Sequence, residues 1–208
     1  MPCHHKFKNQ LDLTNIDFEP TTLIVGTFHP SWPASNNAEW FYGRTAKSCF
    51  WDVLPRLYGE VSLINAGAKE WTQFCRDKHI AITDLISSID DADPDNPEHC
   101  EMLEGFSDKA IEYNFDDIVY TNIVQLLARS PRIRNVYFTR GVTDAFWRHI
   151  WNPVAHYCNV NKIHERKLLT PSGDALYQYG AYNDQHPENK FSRLEDYILM
   201  KWKQEWHF

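Results

Sequence analysis

The stretch at residues 23–31, LIVGTFHPS, constrains the fold more than any other in the chain. An apolar run leads straight into Gly26, and a polar turn stopped by Pro30 comes next. A short continuous apolar run with turn chemistry at its end reads as a buried strand. In open α/β sheets such strands deliver functional groups at the carboxyl edge. A second segment of this kind lies at residues 167–173, KLLTPSG. Two strands ending in proline-containing polar turns can form two walls of one site.

The rest of the chain supports a sheet covered by helices. Its 208 residues suit one α/β domain. Residues 1–20 read as an N-terminal arm and residues 21–208 as that single domain. The first strand covers residues 22–28. The loop after it, residues 30–43, is rich in Ser, Asn and Pro and long enough to carry function. A helix then starts at Ser48, with Phe50, Trp51, Val53, Leu54 and Leu57 on its apolar side and Pro55 ending or kinking it. Residues 61–79 leave room for a short strand at 61–65 and a helix near 70–78. Residues 79–86 read as strand, then turn.

In the acidic loop DDADPDNPE, Asp91, Asp93 and Asp95 have the spacing of a calcium loop. Asn96 stands where the glycine is needed and Met102 where the closing glutamate should be, so it reads as a solvated loop. Helical patterning returns at residues 102–113 and 115–128, although IVYTNIV leaves a strand open in the second. Residues 133–139 are a strand, Gly141 turns the chain into an amphipathic helix, and residues 166–169 form another buried strand. The loop at 174–187 carries Tyr177, Tyr179 and Tyr182, suited either to stacking on bases or to folding on itself. Residues 191–206 close the chain as a helix. The alternation predicts a three-layer α/β/α sandwich with a short central parallel sheet.

The net charge is −7 and the isoelectric point near 5.8, so no broad basic face announces a nucleic-acid binder. Local clusters count for more. Arg129, Arg132 and Arg134 precede a strand and therefore sit at the edge away from the predicted site. Arg44 and Lys47 lie nearer to it. There is no apolar run of membrane-spanning length and no signal-peptide pattern. Five widely spaced cysteines without a CxxC pair fit a reduced, cytoplasmic setting. A metal site would need ligands gathered from afar, and no metal or cofactor is expected.

Five segments succeed one another in a telling order: LIVGTFHPS, FYGRTAKSCFWDVLP, IAITDLISSI, PRIRNVYFTRGVTDAFW and LLTPSG. In that order the chain resembles the uracil-DNA glycosylase superfamily, nearest its hypoxanthine-DNA glycosylase and mismatch-specific branches. The resemblance spans roughly residues 20–205 and rests on the order of the motifs, not on any one of them. It implies a uracil-DNA-glycosylase-like fold and a monofunctional DNA glycosylase of base excision repair. Such an enzyme flips a deaminated base out of the duplex, reads its polar edge and cleaves the glycosidic bond with water. The implied partner is DNA with a damaged or mismatched base, met by a monomer that needs no cofactor.

The same resemblance implies residue roles. Gly26, Thr27, Phe28, His29 and Pro30 fall in the first motif, which places the water. Alignment on Gly26 puts Phe28 at the working position, and alignment on Pro30 puts His29 there. His29 can take a proton near neutral pH or donate to a base oxygen, or it is simply a turn residue. Tyr42 is the stacking aromatic, with Phe41 or Trp40 as substitutes. Ser48 stands where relatives carry a catalytic Asn, yet SxxD also reads as a helix N-cap. Thr170, Pro171 and Ser172 match the last motif. Arg44, Lys47, Gly173 and Tyr177 are the expected DNA contacts, and Asp84 either orients the site or caps the segment from Leu85 onward. Because neither Phe28, His29 nor Ser48 is the amide or carboxylate of the family, a second reading stands beside the first. In it the fold is kept, and a nucleobase, nucleotide or damaged DNA is bound without cleavage.

Overall fold

The computed structural model describes residues 1–105 and 108–208. Its centre is a four-stranded, wholly parallel sheet. The strands are β2 (Thr22–Gly26), β3 (Ile80–Asp84), β6 (Asn135–Phe138) and β7 (His164–Lys167), in the order β3-β2-β6-β7. A smaller antiparallel sheet joins β1 (Cys3–His4), β4 (Ile86–Ile89) and β5 (Ile118–Tyr120) in the order β1-β4-β5.

Side chains alternate across the parallel sheet and bury both of its faces. Leu23, Val25, Val136 and Phe138 pack toward α5 (Ile123–Arg129) and α6 (Ala145–Val160). Ile24, Ile80, Ile82 and Tyr137 pack toward α1 (Phe50–Leu57), α2 (Ala68–Asp77) and α8 (Leu194–Glu205). The result is the three-layer α/β/α sandwich expected from the sequence. Tryptophans supply much of the bulk, with Trp51, Trp147, Trp151 and Trp202 fully buried. Among the described residues no helix is long and apolar enough to cross a membrane. All five cysteines are free thiols.

The strand register brings Gly26, Asp84 and the end of β6 to one edge. From β2 the chain goes to β3 on one side, and it later returns to β6 on the other. The carboxyl edge of β2 is therefore the switch point of the sheet, where α/β folds open a crevice.

Four local expectations are corrected. Residues 174–187 are not a loop: Ser172 accepts the Asp174 N–H, and α7 (Leu176–Gln185) comes next. There Tyr179 donates to the Phe191 carbonyl and Tyr182 packs on Tyr197, so only Tyr177 stands out. Residues 61–65 form no strand. The last strand is β7, two residues earlier than expected, and it is an edge strand with exposed Arg166 and Lys167; charge on an edge blocks further pairing. The stretch 102–128 holds α3 (Pro97–Gly105), α4 (Asp108–Asn114), β5 and α5.

The first twenty residues are tied firmly to the body. His5 bridges to Pro30 and donates its backbone N–H to Ser87, while Lys6 N–H reaches the His29 carbonyl. Cys3, Phe7, Leu11 and Leu13 are buried.

Candidate active site

Gly26 ends β2 beneath two side chains. A Cβ there would lie 2.2 Å from Asp84 Oδ1 and 2.6 Å from the Tyr42 hydroxyl. Only glycine permits this approach.

Asp84 is wholly buried and accepts two imidazoles on one oxygen. His5 Nε2 is 2.8 Å from Oδ2, and His29 Nδ1 is 2.5 Å from it. Each ring spends its other nitrogen on a backbone amide. His5 Nδ1 accepts the Phe7 N–H at 2.9 Å, and His29 Nε2 accepts the Tyr42 N–H at 3.0 Å. These bonds fix both tautomers: each ring must carry its proton on the nitrogen facing Asp84. Burial alone would raise the Asp84 carboxyl, but its pairing with His29 and His5 outweighs it and holds the group well below the usual carboxylate range. Burial pushes the His5 imidazole down. Oδ1 of Asp84 has no partner among the described residues.

Three donor atoms of this trio lie within 4.8 Å of one another, close enough to suggest a metal. The tautomers argue against it. A metal would need lone pairs on the two nitrogens that face Asp84, and the displaced protons would then point at the Phe7 and Tyr42 amides. The trio fits a hydrogen-bonded cluster, and its effect is to hold Tyr42.

Tyr42 has φ 58°, a left-handed conformation that is costly for an aromatic residue. The bond from its amide to His29 helps keep it there. Its ring stacks on Phe50 at 3.9 Å between centroids and 5° between planes. Its hydroxyl meets Thr139 Oγ1 at 2.8 Å, and Thr139 donates in turn to the Val25 carbonyl at 3.3 Å. Tyr42 is therefore the donor of its pair. Burial pushes the phenol well above its ordinary value.

The remaining walls are clipped together. Ser48 Oγ donates to the Pro171 carbonyl and accepts the Phe50 N–H, each at 3.2 Å. Cys49 N–H also reaches the Pro171 carbonyl, at 2.8 Å, and Ser48 bridges to Ser172. Thr170 and Ser172 share a hydrogen bond of 3.1 Å.

Between these segments lies a cavity of about 130 Å³. A dry cavity of about 150 Å³ holds one benzene ring, so this space is of the order of one flat ring. Its lining includes Thr27, Phe28, His29, Tyr42, Arg44, Lys47, Ser48, Thr170, Pro171 and Ser172. The structure thus brings ten of the residues singled out from the sequence to one cavity. Gly26 is beneath it. Pro30 does not line it, and its carbonyl accepts from Asn36. Gly173 comes after the lining segment without lining it, and Tyr177 is 85% exposed on α7. Arg44 also donates to the Glu104 carbonyl at 3.1 Å.

Three lining residues were not read from the sequence: Asp108, Thr139 and Asp174. Thr139 comes directly after β6 at the same sheet edge, where polar residues after a buried strand are a usable signal. Asp108 begins α4 in a stretch without clear periodicity. It pairs with Arg140 at 2.6 Å, and burial pushes its carboxyl up against the opposing pull of that arginine.

A hollow of about 240 Å³ lies at the opposite edge of the sheet, around Asp12, Glu19, Arg129 and Arg132. There Arg129 pairs with Asp12 and Arg132 with Glu19, both exposed. Neither a strand carboxyl end nor a buried titratable group opens into it.

No family model and no curated protein matches this sequence. A solution NMR structure from Methanosarcina acetivorans, designated there a candidate uracil DNA glycosylase, does match in three dimensions. The likeness covers 92% of this chain and 94% of that one, with a TM-score of 0.55 and 14% identity. By its fold, then, this chain is a three-layer α/β/α protein of the same architecture as that structure.

Proposed function

We propose that the protein is a monofunctional DNA glycosylase whose cavity receives a deaminated base turned out of the duplex. The observation that carries this reading is the convergence of three separate motifs, around His29, Tyr42 and Thr170, on one ring-sized space at the switch point of the sheet. A space of that size favours the single ring of uracil over the two rings of hypoxanthine. Arg44 and Lys47 at the cavity suit the flanking phosphates. Exposed Tyr177, beside exposed Leu176, suits contact with the opened duplex. The chemistry calls for water and for hydrogen-bond donors to the departing base, not for a metal or a redox cofactor. The protein would act as a cytoplasmic monomer on DNA carrying a damaged or mismatched base.

In this reading His29 and Ser48 are positioning residues. Both ring nitrogens of His29 are engaged, so it has no lone pair left to take a proton from water. Ser48 Oγ is engaged by the Phe50 N–H and the Pro171 carbonyl, and the N-cap of α1 is Cys49, not Ser48. The same two facts favour the second reading, binding without cleavage. Enzyme in excess over duplexes carrying uracil, hypoxanthine or xanthine separates them. Release of free base above the protein-free background is the expected result. Tight binding of these duplexes with no release rejects the enzyme and leaves the binding protein. Cleavage of free nucleosides but not of duplex rejects both.

A further inference from the structure

Asp108 is unusual among the groups lining the cavity. Arg140 donates to its Oδ2 at 2.6 Å, and Arg140 is itself held by Asp144 at 3.4 Å and by the Trp147 face at 4.0 Å. The carboxylate is therefore anchored by a fixed cation, while its side chain keeps 28% exposure. A carboxylate offers about four lone-pair sites. Among the described residues, Arg140 and the neighbouring Thr27 occupy only part of that capacity. Asp174 lines the same cavity and its charge reaches Asp108. A phosphate or carboxylate placed against the pair would be repelled. A neutral ring bearing an N–H would not.

We propose that Asp108 reads the bound base by accepting a hydrogen bond from the ring N–H on the edge remote from the sugar. This rests on the nucleobase reading of the cavity but not on cleavage. The selectivity it confers is simple chemistry. Deamination of cytosine to uracil, or of adenine to hypoxanthine, replaces a bare ring nitrogen with N–H at that edge. A fixed acceptor favours the deaminated base and sets its own lone pairs against that of the parent.

The test uses free-base analogues and the full chain, with calorimetric or fluorescence titration. In 1-methyluracil the methyl group stands for the sugar and N3–H is intact; in 1,3-dimethyluracil that N–H is blocked. The wild type should prefer 1-methyluracil by about tenfold or more, as expected for a hydrogen bond to a charged group. In Asp108→Ala the preference should fall to about twofold or less, whereas a merely steric effect of the second methyl would persist. Asp108→Asn, which keeps the shape, should also reduce it and serves if the alanine variant does not fold. Equal binding of the two analogues by the wild type overturns the proposal. So does a preference that survives in both variants, or the absence of any binding of 1-methyluracil at millimolar concentration. Base release from uracil duplex, measured alongside, is scored separately. Release with no dependence of the preference on Asp108 removes this proposal alone, and an Asp108-dependent preference without release removes only the cleavage.

Discussion

Two imidazole N–H groups meet one carboxylate oxygen at Asp84, inside the protein. Hydrogen bonds to a buried charge are among the stronger ones, and removing a partner leaves that charge undersatisfied. His5→Ala and His29→Ala should therefore each destabilise the fold by about 3 kcal/mol. Because both act on the same oxygen, the double variant should depart clearly from the sum of the two. Urea denaturation of the four proteins measures this; losses below about 0.5 kcal/mol would mean the cluster is incidental. Acid should act through the same residues. Burial holds His5 below its ordinary 6.5, so on acidification the unfolded chain takes up the proton first. The contribution of His5 is complete above that value and is lost as pH falls below it. Asp84, held low, adds a loss only below its ordinary 3.8. The melting temperature should decline between about pH 7 and pH 5, and less steeply in His5→Gln; equal slopes would exclude His5 as the group responsible. His29 and Asp84 were legible in the sequence as polar residues at strand ends. His5 was not, because an isolated histidine in an N-terminal arm has no periodicity to mark the side chain it meets.

At the scale of elements, the carboxyl end of β2 organises the site. Its apolar run and the glycine after it were readable because burial on both faces leaves few other choices of residue. What could not be read was why glycine is needed. The cause is Asp84 on β3 and Tyr42 on a distant loop, both crowding the Cα of Gly26. Gly26→Ala should cost about 3 kcal/mol, since a methyl group would have to displace a buried carboxylate and a phenol together. Thermal denaturation checks this, and an unchanged melting temperature would show the approach to be looser than described. The helix α7 was missed for a different reason. Its tyrosines were weighed as exposed aromatics, yet Tyr179 and Tyr182 sit three residues apart, on one helical face. That face packs on Phe191 and Tyr197. The strand at the end of the sheet was placed late because the apolar Leu168 and Leu169 come after β7 and lead into the cavity wall.

Taken whole, the molecule is acidic and presents few cations at its cavity. If Arg44, Lys47 and one further group meet phosphates, the logarithm of DNA affinity should fall with the logarithm of salt at a slope of about −2 to −3. Anisotropy titrations with duplex at several salt concentrations give this slope; a value steeper than about −5 would require a basic track elsewhere. The layered architecture was legible because alternating strand and helix patterns admit few arrangements. The cavity was only half legible. Motif order brought its two polar-turn walls together, but Asp108 comes from a stretch whose pattern says nothing about where it lies in space. Under the proposed function, that cavity is where a nucleobase sits. Amide chemical-shift mapping of the labelled protein with a duplex carrying a tetrahydrofuran abasic site and added 1-methyluracil tests it most directly. The changes should concentrate at residues 27–29, 42–48, 108 and 170–174. Changes centred instead on the hollow at Arg129 and Arg132, or no changes at all, would rule out this cavity as the nucleobase site.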